Sequence, residues 1–242
     1  MKKPSYGIDA PHVVRNLFLS SILTFLLLLA ALQIKKFFWS SLALFYTGAT
    51  TFATLGFLLW MLYNNYVTKF KISKKIVASL DLKGGETILD MGCGRGLLLI
   101  ELARSLPFGK AYGIDLWQQK DQSGNSKEKT LQNTKLAGVE YRIEVETGDI
   151  QSLPYSDNNF DAVVSNLVIH NIPRKEDRER ALQEMLRVLK PGGKFVISDI
   201  QYGKEYKDFL DKLGCKSLSE TYYSYIPTLR ILSGSLFSSD LL

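Results

Sequence analysis

The chain has 242 residues, enough for one sizeable hydrophobic core and a small additional module. Its formal net charge is +6, but residues 1–75 hold nine lysines and arginines against one aspartate, so the other 167 residues carry −2. This distribution argues against a nucleic-acid-binding catalytic region. The two cysteines, Cys93 and Cys215, are too few and too far apart for a disulfide framework or a cysteine metal site. Their small number favours a reducing compartment.

Two long apolar runs open the chain. Residues 17–34 and 37–63 contain no charged side chain, and only a pair of lysines separates them. Eighteen helical residues rise about 27 Å, close to the thickness of a bilayer core, so each run is long enough to span a membrane. The pattern predicts a transmembrane helical hairpin. Gly48 and Gly56 fall on nearly one face of the second helix, where we expect close packing against the first.

Two other interpretations of the first runs remain open, a cleaved signal peptide over residues 1–34 and a soluble helical lid. The first run is long for a signal peptide and a second one follows directly. A soluble lid is usually amphipathic, and these runs are apolar all round. Basic residues before and after the hairpin favour a cytoplasmic position for both of its ends, although the two lysines of the turn weaken this prediction.

After the hairpin, strands and helices alternate, which is typical of a parallel α/β sheet. Residues 70–82 are predicted as a helix, and the first strand begins at Glu86. The further predicted elements are strands at 111–116, 141–147, 160–165 and 194–199, helices at 127–137, 174–189 and 206–213, a turn at 191–193, and two antiparallel edge strands near 216–226 and 228–233.

The stretch 87–103 carries the main chemical signal, a buried strand, a glycine turn and a helix. Its glycines remove the Cβ atoms that would block a nucleotide-like ligand. Asp90 stands two residues before the first glycine, where a carboxylate would repel a pyrophosphate but accept hydrogen bonds from an ammonium group. S-adenosylmethionine has such an ammonium group and a sulfonium cation, and no phosphate. The stretch resembles the first motif of the class I S-adenosylmethionine-dependent methyltransferases.

Acidic residues also follow the next two predicted strands, at the edge of the sheet where ligands of open α/β folds bind. Asp115 is placed to hold both ribose hydroxyls, with Leu116 and Trp117 as an apolar wall for the adenine. Asp149, after the third strand, is placed to accept from the adenine amino group. A single aspartate at a strand end is more often a turn or capping residue, but three behind a glycine turn indicate a binding site.

The resemblance extends over residues 84–200, where segments 148–154, 159–166 and 186–193 are similar to later motifs of the family in the family's order. The nearest subgroup is the ubiquinone/menaquinone-type small-molecule methyltransferases. The resemblance implies a doubly wound, Rossmann-like, seven-stranded α/β sheet with six parallel strands and one antiparallel strand. The predicted cofactor-binding residues are Asp90, Gly92, Cys93, Gly94, Gly96, Asp115, Leu116, Trp117, Asp149, Ile150 and Asn166.

His170 follows the fourth predicted strand on the side where an acceptor would lie, and it is the candidate catalytic base, with a structural histidine as the alternative. Tyr6, Asp9 and His12 precede the hairpin and would reach the site if that segment folds as a lid. The polar stretch 118–126 either covers the cofactor or is a solvated loop.

Together these features predict a membrane-anchored methyltransferase, with the hairpin in residues 1–68 and a cytoplasmic catalytic domain in 69–242. The expected partners are S-adenosylmethionine, the lipid bilayer and a lipophilic small molecule, with no nucleic acid and no metal. A methyltransferase for a neighbouring membrane protein, acting on lysine or carboxyl groups, is the first alternative. A non-catalytic cofactor-binding membrane protein is the second.

Overall fold

The computed structural model describes residues 3–33, 38–223 and 226–236. Packing divides them into two compact units. The sheet unit contains the described residues of Met1–Gly7, Phe70–Gln119 and Gly124–Leu242, and the helical unit contains those of Ile8–Lys69 and Lys120–Ser123. The predicted boundary between 68 and 69 is within two residues of this division. The first residues, however, pack with the sheet unit and not with the hairpin.

The helical unit consists of α1 (Pro11–Gln33) and α2 (Phe38–Tyr63), followed by a π-helical turn (Asn64–Thr68). Both helices are long and apolar enough to cross a membrane, and hardly any of either apolar stretch is buried within the protein. The predicted lysine turn, Lys35-Lys36, lies outside the described residues.

The contact of the two helices includes a pair of polar side chains. Thr24 Oγ1 of α1 lies 3.4 Å from Thr54 Oγ1 of α2. A Cβ atom added at Gly48 or Gly56 would meet no atom of the described residues within 4 Å. The expectation that these glycines pack against α1 is therefore wrong, because they do not make the close contact of the two helices.

A polar cluster at the end of the hairpin includes residues of the polar stretch 118–126, for which the sequence analysis gave two alternatives. Asp9 accepts a 2.8 Å hydrogen bond from Gln122 Nε2 and lies 3.5 Å from Lys69 Nζ. Ile8 and Ser123 exchange two hydrogen bonds, of 2.8 and 2.9 Å. Residues 120–123 thus pair with the segment before α1, so this part of the stretch is not merely a solvated loop.

The sheet unit is built on seven strands in the order β3-β2-β1-β4-β5-β7-β6. All neighbours among β1 to β5 are parallel, and β7 runs antiparallel to both β5 and β6, which confirms the predicted fold class. The strands are β1 (Thr87–Met91), β2 (Lys110–Asp115), β3 (Ile143–Thr147), β4 (Phe160–Asn166), β5 (Leu189–Asp199), β6 (Lys216–Tyr223) and β7 (Ile226–Ser235).

Helices cover both faces of this sheet, and each face has its own core. Alternate residues of a strand point to opposite faces, so Ile88 enters one core and its neighbour Leu89 the other. The helices are α3 (Lys69–Ser79), α4 (Leu97–Arg104), α5 (Lys127–Ala137), α6 (Lys175–Val188) and α7 (Gly203–Lys212), with 3₁₀ turns at Glu140–Arg142 and Ile169–Asn171.

Two sheet predictions need correction. The predicted turn at 191–193 lies inside β5, which already pairs with Phe160 at Leu189 and resumes at Lys194 opposite Ala162. The extra residues form an irregularity within the strand, so β5 does not begin after them. In addition, β7 is not an edge strand, because it lies between β5 and β6.

Candidate cofactor and active site

The glycine turn joins the end of β1 to the start of α4. Gly92 has φ +78° and Gly96 has φ +82°, both in the region that favours glycine. A Cβ atom at Gly92 would lie 2.3 Å from Cγ2 of Val168, so no other residue fits without displacing that side chain. The carbonyl of Ile114 accepts hydrogen bonds from the backbone nitrogens of Gly92 and Cys93, at 2.8 and 3.1 Å. The turn is therefore anchored to the end of β2.

The side chain of Cys93 lies in the core. Its side chain is buried in the core beside Gly113, where an added Cβ atom would lie 2.8 Å from the Cys93 sulfur. Burial raises the pKa of the Cys93 thiol well above its usual range. The side chain therefore packs in the core, and only the backbone of Cys93 belongs to the turn. Gly113, which makes room for it, was not among the predicted site residues.

The carboxyl group of Asp90 has an oxygen atom that can still accept a hydrogen bond. It is 1% exposed, and its Oδ2 atom is buried and accepts no hydrogen bond from the described residues. Burial, with the charge of Asp115 nearby, raises the pKa of Asp90 to about 8. A buried acceptor of this kind is costly unless something pairs with it. A ligand with cationic N–H groups would supply the missing partners.

Asp115 at the end of β2 is, in contrast, well supplied with donors. Oδ2 accepts from the backbone nitrogen of Gly94 at 2.8 Å, and Oδ1 accepts from the backbone nitrogen of Trp117 at 2.6 Å. The side-chain amide of Asn125 donates to Oδ1 at 3.1 Å. Asn125 is buried, and the sequence analysis did not single it out. No spacing signal marks it, because it follows a stretch of irregular chain.

The residues predicted to surround the adenine have different surroundings. The indole nitrogen of Trp117 donates a 2.8 Å hydrogen bond to Thr147 at the end of β3, and the ring packs against the core. Leu116 is 49% exposed, so it does not line a closed pocket. Asp149 accepts from the backbone nitrogen of Gln151 at 2.9 Å, as a turn aspartate does. The next residue, Ile150, is buried in the second core.

Asn166, the last residue of β4, presents another unused acceptor. Its Oδ1 atom is buried and has no hydrogen-bond partner among the described residues. The following residue, Leu167, has φ +59° and donates a hydrogen bond from its backbone nitrogen to the carbonyl of Ser198, at 2.8 Å. This link ties the end of β4 to the end of β5 at the edge where Asp90 also lies.

Two side chains of α5 hold the glycine turn from the other side. Thr130 Oγ1 donates to the Gly94 carbonyl at 2.6 Å, and Asn133 Nδ2 donates to the Arg95 carbonyl at 2.9 Å. Asn133 also accepts from the backbone nitrogen of Ser5 at 3.0 Å and donates to its carbonyl at 2.9 Å. The sequence analysis missed both side chains, which look like ordinary polar positions of a surface helix.

The predicted lid residues lie in different surroundings. Tyr6 packs edge-on against Phe70 at 5.7 Å and contacts the core of the sheet unit, and burial raises the pKa of its hydroxyl. Asp9 belongs to the polar cluster of the helical unit. His12 is exposed in the first turn of α1. Each of the three residues thus has separate surroundings, and their role as a lid stays a prediction.

His170 lies in the 3₁₀ turn after β4, beside the end of β5. Its Nδ1 atom is 2.5 Å from Oδ1 of Asp199, the distance of an ion pair, although the contact lacks hydrogen-bond geometry. The backbone nitrogen of His170 donates to the other oxygen of Asp199 at 3.0 Å. Asp199 is 2% exposed. Sequence reasoning missed Asp199, although it closes a predicted strand as Asp90 and Asp115 do.

These groups fit S-adenosylmethionine. The buried oxygen atoms of Asp90 and Asn166 that accept no hydrogen bond from the described residues suit a cationic ligand. The glycines of the turn have no Cβ atoms, so the ligand can approach the backbone there. Within the described residues, no group of three or more His, Cys, Asp or Glu side chains is placed to hold a metal ion.

Comparison with known proteins agrees with this geometry. Residues 89–197 match the family model described as a methyltransferase domain. The chain is 38% identical over 130 residues to a demethylmenaquinone methyltransferase of Desulfitobacterium hafniense, covering 52% of this chain and 47% of the relative. It is 33% identical over 165 residues to one of Lactobacillus johnsonii, covering 67% and 60%. The chain therefore spans only about half of the length of these relatives.

Solved structures show the same fold at low sequence identity. One match is a protein of Methanococcus maripaludis whose assignment as an S-adenosylmethionine-dependent methyltransferase is itself an inference. Its TM-score is 0.59 at 19% identity, and the match covers 76% of this chain and 93% of that one. The [4+2]-cyclase SpnF matches with a TM-score of 0.58 at 19% identity, covering 70% and 81%. Since a cyclase has this fold too, the fold by itself does not specify the reaction.

Proposed function

Since the chain contains a class I S-adenosylmethionine-dependent methyltransferase domain, we propose that it is an enzyme that methylates a lipophilic, quinone-type small molecule at a membrane. The observation that carries this proposal is the pair of buried free acceptors, Asp90 and Asn166, beside the glycine turn. The relatives named for demethylmenaquinone support the class of acceptor.

In this proposal the cofactor supplies an electrophilic methyl group on its sulfonium, and the residues of the sheet unit bind and orient it. Asp90 would accept hydrogen bonds from the ammonium group, and Asp115 would hold the ribose. Trp117 would form an apolar wall for the adenine, and Asp149 would accept from its amino group. Because methyl transfer is an in-line displacement, much of the acceleration comes from aligning donor and acceptor in a dry pocket.

The membrane part of the proposal rests on α1 and α2. Large apolar side chains are exposed along both helices, among them Phe18, Leu23, Phe45 and Phe52, of which Phe52 is 81% exposed. Soluble proteins seldom leave a continuous apolar surface of this kind in water. Anchoring would keep the enzyme where a membrane-dissolved acceptor is concentrated.

The decisive experiment uses the full chain reconstituted in phospholipid vesicles that contain a short-chain demethylmenaquinol, with methyl-labelled S-adenosylmethionine. We expect the label in the organic extract, bound to the quinol. Label in the protein fraction would favour methylation of a neighbouring protein instead. Bound cofactor without turnover for any acceptor would mean a non-catalytic binding protein. Either result would overturn the proposal.

Membrane insertion has its own test. Alkaline carbonate washing of membranes from expressing cells should leave the full chain in the pellet, with its N-terminus intact by mass spectrometry. Release into the supernatant would mean that α1 and α2 do not span the bilayer. Loss of the residues around α1 from the mature protein would mean that they are a cleaved signal.

A further inference from the structure

The helix that follows the hairpin, α3, has an unusual charge pattern. It contains Lys69, Lys71, Lys74 and Lys75 and no acidic residue. Each of the four later helices, α4 to α7, combines acidic and basic side chains. Mixed signs are the ordinary arrangement of a surface that meets only water. A helix with basic side chains alone is typical of a surface that meets a negatively charged partner.

The exposed side of α3 carries this charge. Ile72 and Ile76 are 2% and 0% exposed and belong to one core of the sheet unit, so they form the inner face of the helix. Lys71, Lys74 and Lys75 are exposed. Because residues three and four apart lie on the same side of a helix, the three lysines form one continuous surface, here called the lysine face.

The lysine face follows a belt of exposed aromatic side chains. Trp60 and Tyr63 near the end of α2 are 37% and 43% exposed, and Tyr66 in the π-helical turn is 62% exposed. Such side chains are typical of the boundary between hydrocarbon and headgroups. Lys71 follows Tyr66 by five residues and Lys75 by nine. The helical rise therefore keeps both lysines within about 16 Å of the belt, which is about two Debye lengths in physiological salt.

The first helix adds a positive charge at the same end of the hairpin. The backbone nitrogen of Asp9 donates a 2.6 Å hydrogen bond to Asn65 Oδ1, so the start of α1 lies at the end of α2. Arg15, near the start of α1, is exposed. The sequence from residue 10 to residue 80 contains no Asp or Glu, and Asp9 lies 3.5 Å from Lys69 Nζ. This end of the hairpin is therefore strongly basic.

We propose that the lysine face binds the anionic phospholipid headgroups of the leaflet in which the hairpin ends. The proposal rests on the membrane part of the proposed function, namely that α1 and α2 span the bilayer. The spans then fix the depth of the chain, and the lysine face selects the lipids around it. Because α3 packs into the sheet unit through Ile72 and Ile76, this binding holds the sheet unit at the membrane surface.

The first test measures lipid preference with the full chain in phosphatidylcholine vesicles that contain a trace of spin-labelled phosphatidylglycerol or phosphatidylcholine. Electron paramagnetic resonance gives the ratio of the two association constants. We expect a preference for phosphatidylglycerol of about threefold or more in dilute salt, and almost none in about 1 M salt, because salt screens the charges. The variant Lys71→Gln/Lys74→Gln/Lys75→Gln should lose most of the preference in dilute salt.

The matched control is Lys204→Gln/Lys207→Gln/Lys212→Gln, which removes three lysines from α7 and so the same net charge. It should keep the preference of wild type. Equal losses in the two variants would mean that the overall charge of the chain attracts the lipid, and no preference in wild type would mean that the lysine face is only solvated. Heparin binding through the lysine face without a lipid preference would mean a soluble polyanion as the partner. Each of these results overturns the proposal.

The second test asks whether the lysine face lies on the leaflet. Ala78 is exposed on α3, four residues after Lys74 and three after Lys75. The native cysteines Cys93 and Cys215 are buried, so a thiol-reactive dye labels Ala78→Cys selectively. Acrylamide, a neutral quencher, should reach the dye about twofold less well in vesicles with phosphatidylglycerol than in pure phosphatidylcholine. The difference should disappear when the three lysines are replaced. Equal quenching in both kinds of vesicle would contradict the proposal.

This proposal and the proposed function fail in different ways. A chain that carbonate releases from the membrane overturns both the membrane part and the lysine face. An inserted chain without a lipid preference overturns only the lysine face. Neither test involves methylation, so an enzyme with a different acceptor leaves both results standing. Circular dichroism shows whether each variant is folded, and Lys74→Gln alone, with a smaller expected loss of preference, replaces the triple variant if that one is not.

Discussion

The backbone nitrogen of Gly94 and the carboxylate of Asp115 are joined by a 2.8 Å hydrogen bond, which closes the glycine turn onto the end of β2. Asp115 also accepts from Trp117 and Asn125, so three of its roughly four acceptor positions are in use. Holding both ribose hydroxyls therefore requires the longest of these bonds, from Asn125 at 3.1 Å, to be shared or released.

We expect Asp115→Ala to weaken S-adenosylmethionine binding at least tenfold, about 1.4 kcal/mol, because the ribose loses a charged acceptor and the turn loses its tie to β2. Isothermal titration calorimetry measures the affinity, and circular dichroism checks the fold. Asp208→Ala, an exposed change on α7, is the control. An affinity within twofold of wild type would show that Asp115 does not hold the ribose.

Cofactor binding should depend on pH through Asp90, whose pKa is raised to about 8. Below that pH the free protein carries a proton on Asp90, and an ammonium ligand favours its release. We therefore expect affinity to rise between pH 6 and 7.5, by up to tenfold per pH unit, with proton release. Calorimetry in two buffers of different ionisation enthalpy counts the protons. Asp90→Asn should release none, and equal heats in both buffers for wild type would contradict the prediction.

The same group affects the stability of the ligand-free protein, with a definite sign. A carboxyl group with a raised pKa contributes most to stability below its ordinary pKa near 4, and this contribution is lost as the pH rises through about 8. Between pH 6 and 9 the melting temperature of wild type should therefore fall more steeply than that of Asp90→Asn.

Asn133→Ala should destabilise the sheet unit by about 2–4 kcal/mol, because the variant leaves the Arg95 carbonyl and both backbone groups of Ser5 without their partner. Thermal or urea unfolding in detergent measures the change. Gln132→Ala removes a neighbouring exposed amide from the same helix and should stay within about 0.5 kcal/mol. Equal effects of the two variants would mean that these hydrogen bonds add no stability.

Gly92→Ala and Gly138→Ala separate backbone strain from steric conflict. Both glycines have positive φ, +78° and +67°, so each substitution should cost about 1–2 kcal/mol from strain. Only the Gly92 variant also drives a Cβ atom against Val168, whereas Gly138 has open space. We expect the Gly92 variant to lose more stability in urea unfolding, and cofactor binding as well. Similar losses would mean that Val168 yields without cost.

Much of the sheet unit follows from local pattern. The helix predicted at 127–137 has the observed bounds, since Ser126 caps it and Gly138 ends it. The position of β7 between β5 and β6 has no local signature, because strand order depends on long-range pairing. The two apolar runs at the end of the chain predicted an antiparallel pair, and the family resemblance implied that one strand of the seven-stranded sheet is antiparallel to the others.

At the site, the residues at strand ends could be predicted from the sequence. The side chains that hydrogen-bond to them and to the glycine turn could not. Asp90 and Asp115 stand directly after apolar runs, where a carboxylate is conspicuous. Thr130, Asn133 and Asn125 reach the site from a helix and a loop, and only the packed chain brings them to the glycine turn. Asp199 was visible as a strand end, but its contact with His170 depends on the fold of the intervening turn.

The hydrogen bonds between Ser5 and Asn133 have a practical meaning for anyone who prepares a soluble form of this protein. The described residues up to Gly7, before α1, belong to the sheet unit. The hairpin is therefore inserted within the sequence of that unit and is not added at one end of it. Cutting the chain at residue 70 would discard part of the sheet unit along with the two apolar helices. Excising the hairpin and rejoining its two flanks by a short flexible linker would keep the parts of the sheet unit on both sides of it.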